Sequence, residues 1–171
     1  MTPDEILRHP PRVLRQEQRE FYLREGYLGL PGFVDATAVQ RLCQATDRLV
    51  DLSRQGTSPG RVFGIAPEHT AEKPVLRRLK RPDEQDEVYW EFARGVLADM
   101  AADRLGPDAV FHHSKLNFKR FSESDTVKWH QDAQFFPHSS HNVLTIGCYL
   151  ADTDMSNGPL AVLPKSHEGE L

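Results

Sequence analysis

The chain carries the stretch Lys128-Trp129-His130-Gln131-Asp132, in which a histidine and an aspartate lie two residues apart. In a β-strand, residues two apart point to the same face of the sheet, so the imidazole and the carboxylate share one side. Such a pair supplies two ligands of a 2-His-1-carboxylate site, which leaves open positions on ferrous iron for a co-substrate and O2. We therefore predict that His130 and Asp132 are metal ligands.

The H-x-D spacing is weak evidence on its own. With 8 His and 13 Asp in 171 residues, roughly 0.6 such triplets are expected by chance. Other features of the chain are needed to distinguish a metal site from a chance occurrence of this spacing.

The composition is typical of one globular domain. The chain has 171 residues with a net charge of -4, and 39% of its residues are hydrophobic. This acidic balance argues against nucleic acid as a partner, and no apolar run approaches the ~20 residues that a membrane span needs. The N-terminus lacks a signal-peptide pattern, and two cysteines, Cys43 and Cys148, do not suggest a disulfide framework, so we expect reduced thiols and a cytoplasmic location.

Helical periodicity dominates the chain up to about residue 108. Apolar residues recur at helical spacing, acidic residues favour helix N-termini, and glycines mark the helix ends. The pattern predicts helices over Gln16–Glu25, from Asp35 to about Ser53, and over Glu84–Leu105. Asp35 is a suitable N-cap for the second of these helices.

The connection between residues 54 and 83 is rich in glycine, proline and charge. A connection of this length in a compact domain is often a lid or a binding loop. We predict a short strand at residues 61–65 and another, before this connection, at residues 27–30. The basic run at residues 77–81 is interpreted as a solvated surface, with contact to an acidic substrate as the alternative.

After about residue 109 the period changes from 3.6 to two, which indicates strands. Leu116 and Phe118 fall on one face, whereas Lys115, Asn117 and Lys119 fall on the other. The predicted strands are residues 109–121, 126–131, 143–150 and 159–163. Helices followed by strands predict one α+β, mainly β domain over residues 1–171, with a helical part at about 1–108 and a sandwich or barrel of strands at about 109–171.

Three blocks of sequence, in order along the chain, resemble the phytanoyl-CoA dioxygenase family. They lie at residues 20–33, at residues 115–132, and at residues 152–167. The resemblance implies a double-stranded β-helix, or jelly roll, buttressed by N-terminal helices. It also implies an Fe(II)- and 2-oxoglutarate-dependent dioxygenase that uses O2 to hydroxylate a small organic substrate. In that family the iron ligands are the histidine and aspartate of the H-x-D motif and a distal histidine, and His130 and Asp132 match the first two.

The resemblance also suggests co-substrate and substrate contacts. Asn117 and Lys119 match polar residues that hold 2-oxoglutarate, and the Lys119 ammonium suits a carboxylate as a point charge. Thr145, on the strand after the motif, is a further candidate for 2-oxoglutarate binding. Gln134 and Phe135 follow the motif directly and are candidates for substrate contact.

The chain departs from the family pattern in the last part of the fold. Nothing before Leu171 matches the distal histidine or the arginine that pairs with the far carboxylate of 2-oxoglutarate. His167 belongs to a Pro-x-Ser-His block, and we do not interpret it as the third ligand. We expect a jelly roll that is incomplete at its C-terminus, and little or no activity of the 171-residue chain alone.

Two other functions stay open. One is a non-catalytic relative that acts as a binding or partner-dependent protein. The other is a cupin-like metalloprotein, in which His138 or His141 joins His130 and Asp132 around another divalent metal. The sequence identifies neither the substrate nor the oligomeric state.

Overall fold

Helices and a three-stranded antiparallel sheet make up the regular structure of the computed structural model, which describes residues 1–56, 60–119, 127–135 and 142–169. The α-helices are α1 (Pro3–Arg8), α2 (Gln16–Glu25), α3 (Ala36–Leu52), α4 (Pro82–Gln85), α5 (Glu87–Phe92) and α6 (Ala98–Leu105). The strands are β1 (Phe63–Ile65), β2 (Leu76–Lys80) and β3 (Lys115–Asn117). Short 3-10 turns cover Ser53–Gln55, Asp132–Phe135 and Ser166–Glu168.

The helices α2 and α3 begin and end where their capping residues predict. Gly26 follows α2 with a φ of 81°, the left-handed conformation that favours glycine at a helix C-terminus. Asp35 precedes α3, and its side chain accepts a hydrogen bond of 2.9 Å from the Ala38 N–H. The predicted helix is confirmed, and its apolar stripe faces the core, with Leu42 and Leu49 buried.

The predicted single helix over residues 84–105 is wrong. Asp86 is extended and caps a new helix through its side chain, which accepts a 3.1 Å hydrogen bond from the Val88 N–H. Further on, a π-helical turn at Ala93–Leu97 separates α5 from α6, and Gly95 within it has non-helical backbone angles. A capping aspartate and a glycine therefore divide a segment whose apolar pattern is continuous.

The basic run at residues 77–81 is largely the central strand β2, which the sequence analysis did not predict. Arg78 and Lys80 are exposed, as expected for a solvated surface, but Leu76 and Leu79 are buried. Residues three apart face the same side here because the pairing with β1 skips Arg77, which forms a bulge. The predicted strand at residues 61–65 is confirmed as β1.

The strands predicted after residue 109 are mostly not observed. Only β3 forms, with half-buried Leu116 and Phe118 alternating with exposed lysines and Asn117, as predicted. Within the described residues 27–30, 127–131, 142–150 and 159–163, no strand is formed. The order of helices first and strands later is also wrong, because β1 and β2 precede α4. The helices and sheet agree with an α+β class, and the jelly roll stays a prediction.

A buried polar cluster joins the N-terminal segment to α2 and α6. Asp103 accepts hydrogen bonds of 2.7–2.9 Å from the backbone N–H groups of Arg12, Val13 and Leu14. Burial raises the pKa of the Asp103 carboxyl, but these three donors outweigh it, and the pKa is lowered from its usual value. Arg19, which is fully buried, donates to the backbone carbonyl of Asp103 at 3.0 Å. The cluster thus fixes α2 against α6.

Arg104 extends this cluster. Its guanidinium donates to the Arg19 carbonyl at 2.7 Å and stacks on the Tyr22 ring, 3.4 Å from the ring centroid. Burial is the main cause that lowers the pKa of Arg104, to about 10. The same contact places Tyr22 in the interior, where burial raises the pKa of its hydroxyl.

Candidate metal site

The side chains of His130 and Asp132 lie together. Their Nε2 and Oδ1 atoms are 3.3 Å apart, and the two side chains are 31% and 33% exposed. Two ligands about 2.1 Å from one octahedral ion at a right angle lie about 3 Å apart, so the two atoms can chelate a single cation after a small adjustment. The pairing that the sequence predicted is present in the structure.

The route to this pairing differs from the prediction. His130 and Asp132 are not on a strand; the chain bends at Trp129, and Asp132 begins the 3-10 turn Asp132–Phe135. This turn places the Phe135 ring edge-on to the imidazole of His130, with 5.3 Å between the centroids. Trp129, at the bend, is 72% exposed.

Hydrogen bonds orient both candidate ligands. The Nδ1 of His130 lies 2.7 Å from the carbonyl oxygen of Lys128, which can only accept, so Nδ1 carries the proton. In the neutral ring the lone pair is then on Nε2, the atom that faces Asp132. Thr145 donates its hydroxyl to the other carboxylate oxygen, Oδ2, at 2.6 Å. Lys128 thus holds His130 at Nδ1 and Thr145 holds Asp132 at Oδ2, while Nε2 and Oδ1 face each other. Supporting hydrogen bonds of this kind are common around metal sites.

The arrangement brings two electron-pair donors into one space. A lone pair on Nε2 and a carboxylate oxygen at 3.3 Å repel each other unless a positive charge lies between them. A divalent cation supplies that charge, and a proton on Nε2 is the alternative. The donor set of one imidazole and one carboxylate, with one third of each side chain exposed, fits an iron ion whose other positions are accessible.

The other predicted site residues are placed less centrally. Asn117 and Lys119 are exposed at and just beyond β3, and no hydrogen bond or ion pair among the described residues joins either to His130 or Asp132. Gln134 is exposed, and its backbone N–H donates to the Gln131 carbonyl at 3.1 Å. Thr145, suggested for 2-oxoglutarate, donates its hydroxyl to the candidate ligand Asp132, a contact that the sequence analysis did not predict.

No third ligand joins the pair within the part of the chain that the structure describes: it contains no cluster of three His, Cys, Asp or Glu side chains suited to a metal. His167 lies elsewhere, with its Nε2 3.3 Å from the Leu23 carbonyl oxygen. His138 and His141, the candidates of the cupin-like alternative, lie outside the described residues. None of the helices in the described ranges is long and apolar enough to cross a membrane.

Comparison with known proteins identifies the family. The model of the phytanoyl-CoA dioxygenase (PhyH) family matches residues 22–171, nearly the whole chain. The chain therefore belongs to the phytanoyl-CoA dioxygenase family, as its sequence blocks predicted.

The curated relatives carry dioxygenase names. The chain is 31% identical to a probable alpha-ketoglutarate-dependent hypophosphite dioxygenase of Stutzerimonas stutzeri, over 93% of the chain and 55% of that protein. It is 29% identical to an ectoine dioxygenase of Sphingopyxis alaskensis, over 86% of the chain and 48% of that protein. It is 26% identical to the peroxisomal phytanoyl-CoA dioxygenase of Bos taurus, over 93% and 49%. The chain spans about half the length of these relatives, and no solved structure matches it.

Proposed function

We propose that the chain provides the H-x-D half of the iron site of an Fe(II)- and 2-oxoglutarate-dependent dioxygenase that hydroxylates a small organic molecule. The carrying observation is the 3.3 Å approach of His130 Nε2 and Asp132 Oδ1, with Lys128 and Thr145 holding the opposite sides of the two groups. Two findings support the choice of co-substrate: the chain belongs to this family, and one relative is named a probable alpha-ketoglutarate-dependent dioxygenase.

The residues of the chain have distinct roles in this proposal. His130 and Asp132 hold the iron, Thr145 orients the Asp132 carboxylate, and the Phe135 ring covers one edge of the imidazole. Bound iron supplies activation of O2, coupled to decarboxylation of 2-oxoglutarate. Lys119 and Asn117 remain the proposed contacts of 2-oxoglutarate. They contact it in a fold in which β3 and the H-x-D motif lie in one sheet.

The proposal includes the jelly roll expected of the family, in a single domain over residues 1–171. The third iron ligand and the arginine that binds 2-oxoglutarate then come from outside the described residues. A two-ligand site binds metal weakly, because each missing ligand removes a bond that the site would otherwise form. The 171-residue chain on its own is therefore expected to chelate iron more weakly than a three-ligand site.

An anaerobic titration of the chain with Fe(II), followed by 2-oxoglutarate, tests the proposal. The expected result is the visible charge-transfer band of the iron chelate, which His130→Ala abolishes. The matched control is His9→Ala, because His9 is exposed and far from the motif along the chain, so its band should equal that of the unaltered chain.

The same titration separates the alternatives. Metal binding that is indifferent to 2-oxoglutarate supports the cupin-like metalloprotein. A folded chain that binds neither iron nor 2-oxoglutarate contradicts the proposed half-site and supports a non-catalytic relative. A band that survives His130→Ala overturns the ligand assignment.

A further inference from the structure

A short turn from the end of the described chain is seated on the C-terminal end of α2. We name it the docking turn, Lys165–Glu168. The Lys165 N–H donates to the Glu25 carbonyl at 2.8 Å, and the His167 Nε2 lies 3.3 Å from the Leu23 carbonyl. Carbonyls in the last turn of a helix have no partner within the helix, so the docking turn satisfies two groups that α2 leaves open.

Gly26 provides the space for this contact. A Cβ atom placed on Gly26 would lie 2.2 Å from Nδ1 and 2.6 Å from Cγ of His167, far inside contact distance. The imidazole therefore packs directly against the backbone of Gly26. The glycine is required twice, once for its φ of 81° and once for the close approach of the ring.

The docking turn also contacts the metal motif. Gln131, the residue between the two candidate ligands, donates its side-chain amide to the Ser166 carbonyl at 2.8 Å. On either side of Gln131, the side chains of His130 and Asp132 lie 3.3 Å apart at Nε2 and Oδ1. The docking turn therefore links the end of α2 to the backbone that carries both candidate ligands.

At the other end of this link, α2 is the firmly held element. Arg19 is fully buried on α2 and donates to the backbone carbonyls of Asp103, His9 and Ile6. Tyr22, one turn later, lies under the Arg104 guanidinium. The motif, by contrast, has no strand partner of its own among the described residues.

We propose that Gly26, His167 and Gln131 are positioning residues, which fix the direction of the His130–Asp132 backbone by anchoring it through the docking turn to α2. This inference rests on the proposed function for one point, which is that the H-x-D motif binds a metal ion. The anchoring itself belongs to the metal-free chain and is measurable there.

The test compares Gly26→Ala and His167→Ala with Gly32→Ala. Gly32 has a φ of 70°, close to that of Gly26, but nothing lies within 4 Å of a Cβ placed there. Gly32→Ala therefore carries the backbone strain without the collision. His167→Gln retains a donor for the Leu23 carbonyl and serves as the conservative variant.

Two measurements are made on each variant. The first is NMR of the metal-free chain: the through-space contact between the Gln131 side-chain amide and Ser166, and the backbone order parameters of residues 129–132. The second is a Co(II) titration followed by its visible spectrum. Circular dichroism and the NMR signals of α2 establish that the helices are intact.

In Gly26→Ala and His167→Ala we expect the Gln131–Ser166 contact to disappear and the order parameters to fall below about 0.6. Co(II) affinity should fall about tenfold, the lower end of what loss of an outer-shell support causes. The double variant should be no worse than the worse single variant, since both break the same contact. His167→Gln should recover part of the loss, and Gly32→Ala should leave both measurements unchanged.

The outcomes separate the two proposals. If the unaltered chain binds no Co(II) but the NMR contact is lost only in the Gly26 and His167 variants, the metal site is refuted and the anchoring holds. If both measurements are unchanged in folded Gly26→Ala and His167→Ala, the anchoring is refuted. Equal losses in Gly32→Ala also refute it, because backbone strain alone would then be the cause.

Discussion

The helical part, taken with the three-stranded sheet as residues 1–56 and 60–119, and the site segment, residues 127–135 and 142–169, are built on different principles. Every buried hydrophobic side chain of the described residues belongs to the helical part, from Ile6 to Ala102. The site segment exposes most of its large apolar residues: Val127, Trp129, Phe135, Tyr149, Met155, Leu160, Val162 and Leu163. One region is stabilised by burial, whereas the other is held in place by individual hydrogen bonds.

This difference shows how the candidate metal site is positioned. The site segment contributes His130, Asp132 and Thr145, yet it takes its position from the helical part. Cys43 of α3 lies 3.4 Å from the Leu150 carbonyl, and Lys165 bonds to the end of α2. Stability and chemistry are therefore separable by substitution, with the first sensitive in the helical part and the second in the site segment.

The largest effect is expected from Asp103→Ala. The change leaves three backbone N–H donors without their carboxylate and removes the negative charge beside the buried Arg19, which costs about 4 kcal/mol of unfolding free energy. Urea denaturation measures it. Asp99→Ala, on the same helix, is the control: its ion pair with Arg12 is half exposed, and about 0.5 kcal/mol is expected. Equal losses in the two variants would contradict the central role of the cluster.

The second prediction uses the same substitution in both regions. Leu79→Ala empties a fully buried position on β2, and about 3 kcal/mol of stability should be lost. Leu160→Ala, at a position that is 75% exposed, should change stability by less than about 0.5 kcal/mol. Thermal or urea unfolding of the two variants checks this. A large loss in Leu160→Ala would show that the site segment buries a core of its own.

A smaller effect is expected in acid. Because the pKa of Asp103 is lowered in the folded chain, the unfolded chain binds the proton more tightly. The stabilisation is therefore complete above the ordinary aspartate pKa of about 3.9 and is lost as pH falls through the lowered folded value. Urea midpoints from about pH 6 to about pH 3 measure it. The difference between Asp103→Asn and the unaltered chain should shrink across this range; a constant difference would contradict the assignment.

The smallest effect on stability comes from the site segment itself. Thr145→Val removes the hydroxyl that bonds Asp132, and should weaken Co(II) or Fe(II) binding about tenfold without a measurable change in unfolding. Thr153→Val is the matched control, since the Thr153 hydroxyl donates to the nearby Ala151 carbonyl and not to a candidate ligand. Equal metal affinities in these two variants would show that Thr145 has no supporting role.

Local sequence signals predict the parts of the fold that local interactions decide. The helices α2 and α3 follow from apolar spacing together with Gly26 and Asp35, and the structure confirms them. The approach of His130 and Asp132 follows from their spacing, although a bend and a 3-10 turn produce it rather than a strand. A separation of two residues brings side chains together in more than one backbone conformation.

Features that depend on distant partners were not predictable from the residues alone. The strand β2 escapes the period-two pattern because its bulge places Leu76 and Leu79, three apart, on one face. Arg19, Asp103 and Arg104 have the types and spacing of surface helix residues, yet they are buried because their partners come from other segments. No local pattern in one sequence distinguishes such residues from solvated ones.

The hydrogen bonds from the N-terminal segment to Asp103 can form only after Asp103 has been synthesised. The donors at Arg12, Val13 and Leu14 precede their acceptor by 89 to 91 positions. At the usual rate of translation, Asp103 is synthesised roughly 5 to 20 seconds after these donors. During this interval Ile6 and Leu14, both buried in the folded chain, are available to chaperones. Residues that leave the ribosome well before Asp103 are thus among the last to reach their folded positions.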